Sequence, residues 1–290
     1  MNLEIRELTK HYGQKRALQG VSMDLTPGIY GILGPNGAGK STLMNLLTGN
    51  LKPTGGTILL DGQDLSAMGA GYRSRLGYCP QQQSFYPGFT AEQFLFYMAS
   101  LHGMTRAKAA ERVDWALGLL SLGDVRRKRI RSFSGGMKQR LLIAQSLLHD
   151  PDILILDEPT AGLDPRQRIA VRNLIGQIAQ EKIVLISTHV VQDVEHIARE
   201  LILLSDGKIL RRASARELLQ DLDGQVWQIP LSGITLEQAG QMGTVCGVVQ
   251  EEQGLCVRLL CDRPPAAPSQ QVWPNLEDVY LHYFGGSEVV

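Results

Sequence analysis

No apolar run in this 290-residue chain approaches the ~18 residues that a membrane-crossing helix requires. The longest are short stretches such as 153–156, 183–186 and 201–204. The opening residues Met1-Asn2-Leu3-Glu4-Ile5-Arg6-Glu7 have no apolar core and carry acids, so no secretory signal is read there and a cytoplasmic location is expected. Cysteine is scarce. The four present (Cys79, Cys246, Cys256, Cys261) include no Cys-x-x-Cys pair, which points to reduced thiols rather than a metal centre or disulfide framework. Neither sign of charge is in excess, with 29 Lys and Arg against 29 Asp and Glu. The global positive field of a nucleic-acid protein is therefore missing, and no nucleic-acid partner is expected. What remains is an ordinary globular composition, 43% hydrophobic and 20% charged, with room for one large domain and a small one.

Strands are expected at 2–8 and 17–25, with a turn at Tyr12-Gly13 between them. A short apolar run at 29–33 enters a glycine-rich loop, and 40–47 has helical character. Further strands are read at 57–60 and 76–79, and amphipathic helices at 90–102 and 107–120. Those helices suggest a helical subdomain, about 84–150, inserted between two sets of motifs. From 138 onward helix and strand alternate: helix 138–149, strand 153–156, helix 166–180, strand 183–186, helix 191–199 and strand 201–204. Such alternation implies a mainly parallel sheet, hence an α/β fold. Near 221–224 the character changes. Strands at 225–231, 245–250 and 255–260, a helix at 236–242, a Pro-rich loop through Pro264, Pro265 and Pro268, and a last helix from Asn275 read as a small α+β accessory domain. The expected division is 1–220 and 221–290.

Five short motifs carry chemistry. Gly34-Pro35-Asn36-Gly37-Ala38-Gly39-Lys40-Ser41 fits a phosphate-binding loop, continuing into Thr42. Its glycines let successive N–H groups turn inward, and the helix that follows adds its positive end. Lys40 would meet β- and γ-phosphates, and Ser41 would offer its hydroxyl to Mg²⁺. Asp157 and Glu158 end an apolar strand, at the carboxyl edge where ligands bind in open α/β sheets. Asp157 suits Mg²⁺, and Glu158 suits a general base for the attacking water. Ser134, Gly135 and Gly136 open a helix and form a second anion site in a chain that already has one phosphate loop. That makes sense if the second site faces a nucleotide held by another chain. Ala161-Gly162-Leu163-Asp164 follows, and Ser187-Thr188-His189 closes a later apolar run. A histidine at a strand end is ordinarily structural; its place after the acidic pair makes His189 a γ-phosphate contact candidate. Gln81 can reach Mg²⁺ or the attacking water, with Gln82 and Gln83 as rivals on spacing. Tyr12 can stack on adenine. The basic run Arg126, Arg127, Lys128, Arg129 and Arg131 reads as a solvated face, or as a surface for anionic lipid or an acidic partner.

With these residues in this order, the chain resembles the nucleotide-binding subunit of an ABC transporter over residues 1–220. The loop 34–41 is similar to the family's Walker A, Gln81 to its Q-loop, and Ser134–Met137 to its signature. Residues 153–158 are similar to its Walker B, 161–164 with Asp164 to its D-loop, and His189 to its switch histidine. Tyr12 matches the aromatic that stacks on adenine. Met137 stands where the commonest signature has Gln; followed by Lys-Gln-Arg, it resembles the drug- and antibiotic-exporter branch, as does the ending 275–281. The resemblance implies a P-loop NTPase of ABC type, with an N-terminal antiparallel β portion, a mainly parallel core and an inserted helical subdomain. It implies ATP and Mg²⁺ as ligands. It also implies a second ATPase subunit, identical or a paired paralogue, closing head to tail, and a separate membrane permease that holds the chain at the inner face of the membrane. An importer ATPase, a non-transport ABC ATPase acting on ribosome or DNA, and a sensor that binds ATP without hydrolysing it are the alternatives.

Overall fold

The structure, a computed structural model, describes residues 1–81, 85–252 and 254–285. Its strands are β1 (Leu3–Tyr12), β2 (Lys15–Leu25), β3 (Gly28–Leu33), β4 (Gly55–Leu60), β5 (Gln63–Asp64), β6 (Leu76–Cys79), β7 (Ile153–Asp157), β8 (Ile183–Ser187), β9 (Glu200–Ser205), β10 (Lys208–Ala213), β11 (Val226–Pro230), β12 (Thr244–Glu251), β13 (Gly254–Leu260) and β14 (Gln270–Gln271). Its helices are α1 (Lys40–Leu47), α2 (Leu65–Met68), α3 (Ala70–Arg73), α4 (Ala91–Leu101), α5 (Arg106–Leu119), α6 (Gly135–Leu147), α7 (Pro165–Ile178), α8 (Ala215–Asp221), α9 (Leu236–Met242) and α10 (Leu276–Phe284).

The central sheet runs β10-β9-β3-β8-β7-β6. It is parallel from β9 to β6, with β10 added antiparallel at one edge. Strands β7 and β8 are buried at every residue, as expected of parallel strands covered on both faces. Alternation then sorts their side chains. Leu154, Leu156, Val184 and Ile186 join one core cluster, while Ile153, Ile155, Ile183 and Leu185 join another. The second cluster holds α1 and the antiparallel sheet β2-β1-β4-β5. The first holds α4, α5, α6 and α7. Each fully buried Leu or Ile contributes roughly 1.5–3 kcal/mol, so this two-sided apolar sandwich fixes the strand ends from which the motifs project.

The third sheet, β12-β13-β11-β14, is antiparallel, and α9 seals its small cluster of Ile229, Ala239, Val257 and Leu259. Helix α10 returns to the main body. Its Leu276, Val279 and Phe284 belong to the same cluster as Ala213, Leu218 and Leu222. Asp278 both caps α10, in a reciprocal pair with Asn275, and accepts a bidentate bond from Arg258 at 2.9 and 2.6 Å. That clamp ties helix to sheet.

The expected helix 191–199 is corrected. Only a single 3₁₀ turn, Val191–Asp193, forms, followed by turns that lead into β9. Val190 has no side-chain oxygen to cap it, and the β-branched valines are poor helix formers. The side chains of Val191 and Val194 are buried, as is Asp193. In the basic run, Arg126 bridges Glu92 and Asp114 at 2.6 Å each. Arg127, Lys128, Arg129 and Arg131 are exposed.

One histidine pair links the helical insertion to the sheet. His149 Nε2 donates to the Leu76 carbonyl at 2.9 Å, and its ring stacks on His102 with centroids 3.8 Å apart. Its Nδ1 is buried and has no partner among the described residues. Burial first, then His102, pushes the His149 pKa down to about 4. In the unfolded chain this ring takes a proton near 6.5, its ordinary value, so between there and about 4 the unfolded state binds more protons. Stability is therefore present above that window and is lost as pH falls through it. The full shift would amount to ~3 kcal/mol, reduced to ~1–2 kcal/mol by the ring's partial exposure. Urea denaturation at pH 7 and pH ~4.5 is expected to show wild type losing more stability than His149→Gln. Equal losses would dismiss the histidine as the cause.

Candidate active site

The phosphate loop sits between the end of β3 and the start of α1. Gly39, at the N-cap of helix α1, has a φ of 109° that is open to glycine, and Gly37 has φ 85°. A Cβ on Gly34 would lie 2.1 Å from the Leu204 carbonyl oxygen, and one on Gly39 would lie 2.6 Å from that of Ala17. At Gly34 and Gly39 the loop is thus packed against β9 and β2 with no room for a side chain. Gly207 N–H donates to the Ala38 carbonyl at 2.9 Å, which fixes the curl from behind.

Residues 35–42 line a pocket of about 300 Å³ with Tyr12, Lys15, Ala17, Gln81, Asp157 and Glu158. Lys40 Nζ donates to the carbonyls of Gly34 and Pro35 at 2.6 and 3.0 Å. Burial lowers the Lys40 pKa, and the nearby Glu158 and Asp157 carboxylates work in the opposite direction. A partly desolvated ammonium at the mouth of a helix N-terminus suits a phosphate. Tyr12, 47% exposed at the end of β1, flanks the pocket mouth, with Lys10 Nζ 5.4 Å from its ring centroid.

Both acids lie at the carboxyl end of β7. Asp157 accepts from the Ser187 hydroxyl of the adjacent strand, and burial raises its pKa while that bond offsets part of the rise. Glu158 follows in a left-handed conformation, φ 51°, rare for a non-glycine residue. Its N–H donates to the Ser187 carbonyl at 2.9 Å, which holds the strained residue in place. Its Oε1 lies 2.8 Å from His189 Nδ1, and its Oε2 accepts from Thr188 Oγ1 at 3.4 Å. Glu158 is 6% exposed, whereas the His189 side chain is 59% exposed. A buried carboxylate is therefore paired with an imidazole that reaches solvent.

A Mg²⁺ fit follows from the donor set. Among the described residues no cluster of three or more His, Cys, Asp or Glu could hold a metal ion. Ser41, Asp157 and Gln81, which line one pocket, suit an ion that takes its remaining positions from phosphate oxygens and water, as Mg²⁺ commonly does. Gln81 lines the same pocket; Gln82 and Gln83 lie outside the described residues.

The signature residues are elsewhere. Ser134 caps the 13-residue helix α6, accepting from Met137 N–H at 3.2 Å. Ser134 and Gly135 are exposed, and none of Ser134, Gly135 and Gly136 lines the pocket. Gly136 is closed in by Gln167 of α7, whose Oε1 would lie 2.2 Å from a Cβ there. Asp164 caps α7 through Gln167 N–H at 2.8 Å, with Pro165 in the first turn. One chain therefore gathers Tyr12, the loop 34–42, Gln81, Asp157 and Glu158, joins His189 through Glu158, and leaves Ser134–Gly136 outside. Sequence reasoning missed Lys15, Thr160, Ser187, Thr188, Gln167 and Asp193. Ser187 and Thr188 adjoin His189 in a motif already singled out; the others carry no local signal.

An ABC transporter ATP-binding protein of Bacillus subtilis (strain 168), YxlF, described as uncharacterized, is 38% identical over 228 residues, covering 78% of this chain and 76% of its own length. This chain belongs to the ABC transporter ATP-binding proteins. The family model described as ABC transporter matches residues 18–161. The daunorubicin resistance ATP-binding protein DrrA3 of Streptomyces coeruleorubidus is 34% identical over 307 aligned positions, covering 95% of this chain and 93% of that one. A solved structure described as an ATP binding subunit of an ABC transporter aligns with a TM-score of 0.69 at 27% identity, over 76% of this chain and 93% of its own. The chain is thus an ABC ATPase with the P-loop fold of that type. Among the described residues of this ABC subunit, no helix is long and apolar enough to cross a membrane.

Proposed function

We propose that this ABC ATPase drives export of a drug-like or antibiotic-like substrate through a separate membrane permease, which holds it at the inner face of the membrane. Two copies, or this chain and a paralogue, close head to tail on two Mg·ATP. The export branch is supported by Met137 in the signature and by similarity that runs nearly end to end with a relative named for daunorubicin resistance. In this reading residues 1–220 form the ATPase, and 221–290 form an accessory unit whose helix α10 packs back onto it.

Roles follow from position. Tyr12 stacks on adenine. The N–H groups of Gly37, Ala38 and Gly39, with those of Lys40, Ser41 and Thr42, cradle the phosphates. Lys40 turns from its carbonyl partners to the β- and γ-phosphates. Ser41, Asp157 and Gln81 hold Mg²⁺, which when bound neutralises charge on the phosphate oxygens. Glu158 takes the proton of the attacking water, and His189 orients Glu158 and meets the γ-phosphate. Ser134, Gly135 and Gly136, with Asp164, complete the site from the facing copy.

The observation that carries this is the exposure of Ser134 and Gly135 at a helix start outside the pocket of their own chain. A helix start that lies outside its own subunit's phosphate-loop pocket fits a γ-phosphate presented by another subunit. Light scattering of a hydrolysis-blocked variant is expected to show monomer without nucleotide and dimer with Mg·ATP, because two facing phosphate sites repel until γ-phosphates fill them. No mass change at any ATP concentration would refute the sandwich.

A further inference from the structure

We infer that Asp193 is a positioning residue for hydrolysis, tying the Glu158 loop to the His189 loop. The inference rests on the reading of Glu158 as general base. Asp193 ends the 3₁₀ turn after β8 and is 7% exposed. Its Oδ2 accepts from Thr160 Oγ1, two residues beyond Glu158, and from Thr188 Oγ1 at 3.4 Å, one residue before His189. Thr160 is 3% exposed and Thr188 is fully buried. Its described partners are hydroxyls, and no Lys, Arg or His pairs with it among the described residues. A buried carboxylate without a cation is costly compared with an apolar side chain of similar size. Packing alone therefore does not account for it.

The geometry gives it two tasks. Thr160 lies in the turn that presents Glu158: Ala161 N–H donates to the Glu158 carbonyl at 3.1 Å, and Leu163 N–H to that of Thr160 at 3.1 Å. Holding the Thr160 hydroxyl fixes that turn. The Thr188 hydroxyl has a single proton and lies 3.4 Å from both Asp193 Oδ2 and Glu158 Oε2. Asp193 competes for that proton. Without it, Thr188 donates to Glu158 alone, and the Asp193 carboxylate no longer ties the Glu158 loop to the His189 loop. Val190 N–H donates to Thr188 Oγ1 at 3.0 Å, so the same hydroxyl also sets the backbone after His189. The turn itself is pinned from outside by Gln192 Nε2, which donates to Glu277 of α10 at 3.0 Å.

Turnover and ATP affinity are to be measured on the full chain for Asp193→Ala, Asp193→Asn, Thr160→Val and the Asp193→Ala/Thr160→Val double variant, with Glu158→Gln as reference. Asp193→Ala is expected to lower kcat by ~10–10²-fold, the scale of a misplaced catalytic group, with KM for ATP changed less than about threefold. Asp193→Asn, which keeps an acceptor for Thr160, should recover part of the loss. The double variant should lose no more than the worse single one, because both break one bond. If Asp193→Ala does not fold, Asp193→Asn and Thr160→Val carry the comparison. Wild-type kcat in the Asp193 variants beside an inactive Glu158→Gln overturns this inference alone, as do additive losses in the double variant. Near wild-type turnover in Glu158→Gln overturns the general-base reading beneath it.

Discussion

Replacing Glu158 by Gln is expected to stop turnover while ATP stays bound. The amide keeps the size of the carboxylate and accepts the same φ of 51°, so the strained backbone and its bond to Ser187 persist. His189 Nδ1, 2.8 Å from Oε1, still finds a partner. Lys40, Ser41 and Asp157 are untouched, so nucleotide affinity should hold. What is lost is a group that accepts a proton, and the chemical step should slow by ~10²–10⁴-fold. Bound but unreacted ATP should then accumulate in the closed dimer. Asp157→Asn should differ, because that carboxylate lies beside Ser187 rather than His189 and its loss weakens Mg²⁺ retention as well as rate. Single-turnover rates read beside nucleotide occupancy separate the two. Turnover of Glu158→Gln near the wild-type rate would move the base elsewhere, with His189 the first residue to test.

The candidate site was legible in so far as its residues are local in sequence. A phosphate loop needs consecutive N–H groups, so Gly34 to Ser41 announce it together. The acidic pair ends an apolar strand, and the strand direction alone places it at the sheet's carboxyl edge. The central strands were equally plain, since β7 and β8 are apolar at nearly every position. Their sorting into two faces then follows from the two-residue period.

What escaped were contacts between distant segments. Asp193 meets Thr160 across 33 positions, and nothing in Val191-Gln192-Asp193 marks it as more than a solvated acid. The same segment passed for a helix because its spacing of apolar residues is compatible with one. Burial of Val191, Asp193 and Val194 decided otherwise. Gln167 beside Gly136 is likewise a meeting of two helix starts that are far apart in the chain. The tail shows the opposite case. A change of character is read in the sequence near 221, yet Leu276, Val279 and Phe284 of α10 pack with Ala213, Leu218 and Leu222. A composition shift reports where a chain changes character, not where its buried surface ends.

Lys40→Ala should abolish productive ATP binding, a failure earlier in the cycle than that of Glu158→Gln. Lys40 is half-buried, and burial already disfavours its charge in the free protein. Its two carbonyl partners, at 2.6 and 3.0 Å, hold it at the loop until phosphates replace them. A bound β/γ-phosphate brings at least two unit charges, so the ammonium gains more from the nucleotide than from two neutral carbonyls. Two charge-assisted bonds at ~1.5–3 kcal/mol each correspond, after the carbonyl contacts they displace, to ~10²–10³-fold in affinity. The remaining N–H groups cannot compensate, because they already point at the same oxygens. Lys40→Arg should not rescue, since a planar guanidinium is bulkier and cannot act as a point charge inside a loop closed by Leu204 and Ala17. Titration with a fluorescent ATP analogue should find weak or no binding in both variants and tight binding in Glu158→Gln. Wild-type affinity and turnover in Lys40→Ala would mean that this loop does not hold the phosphates.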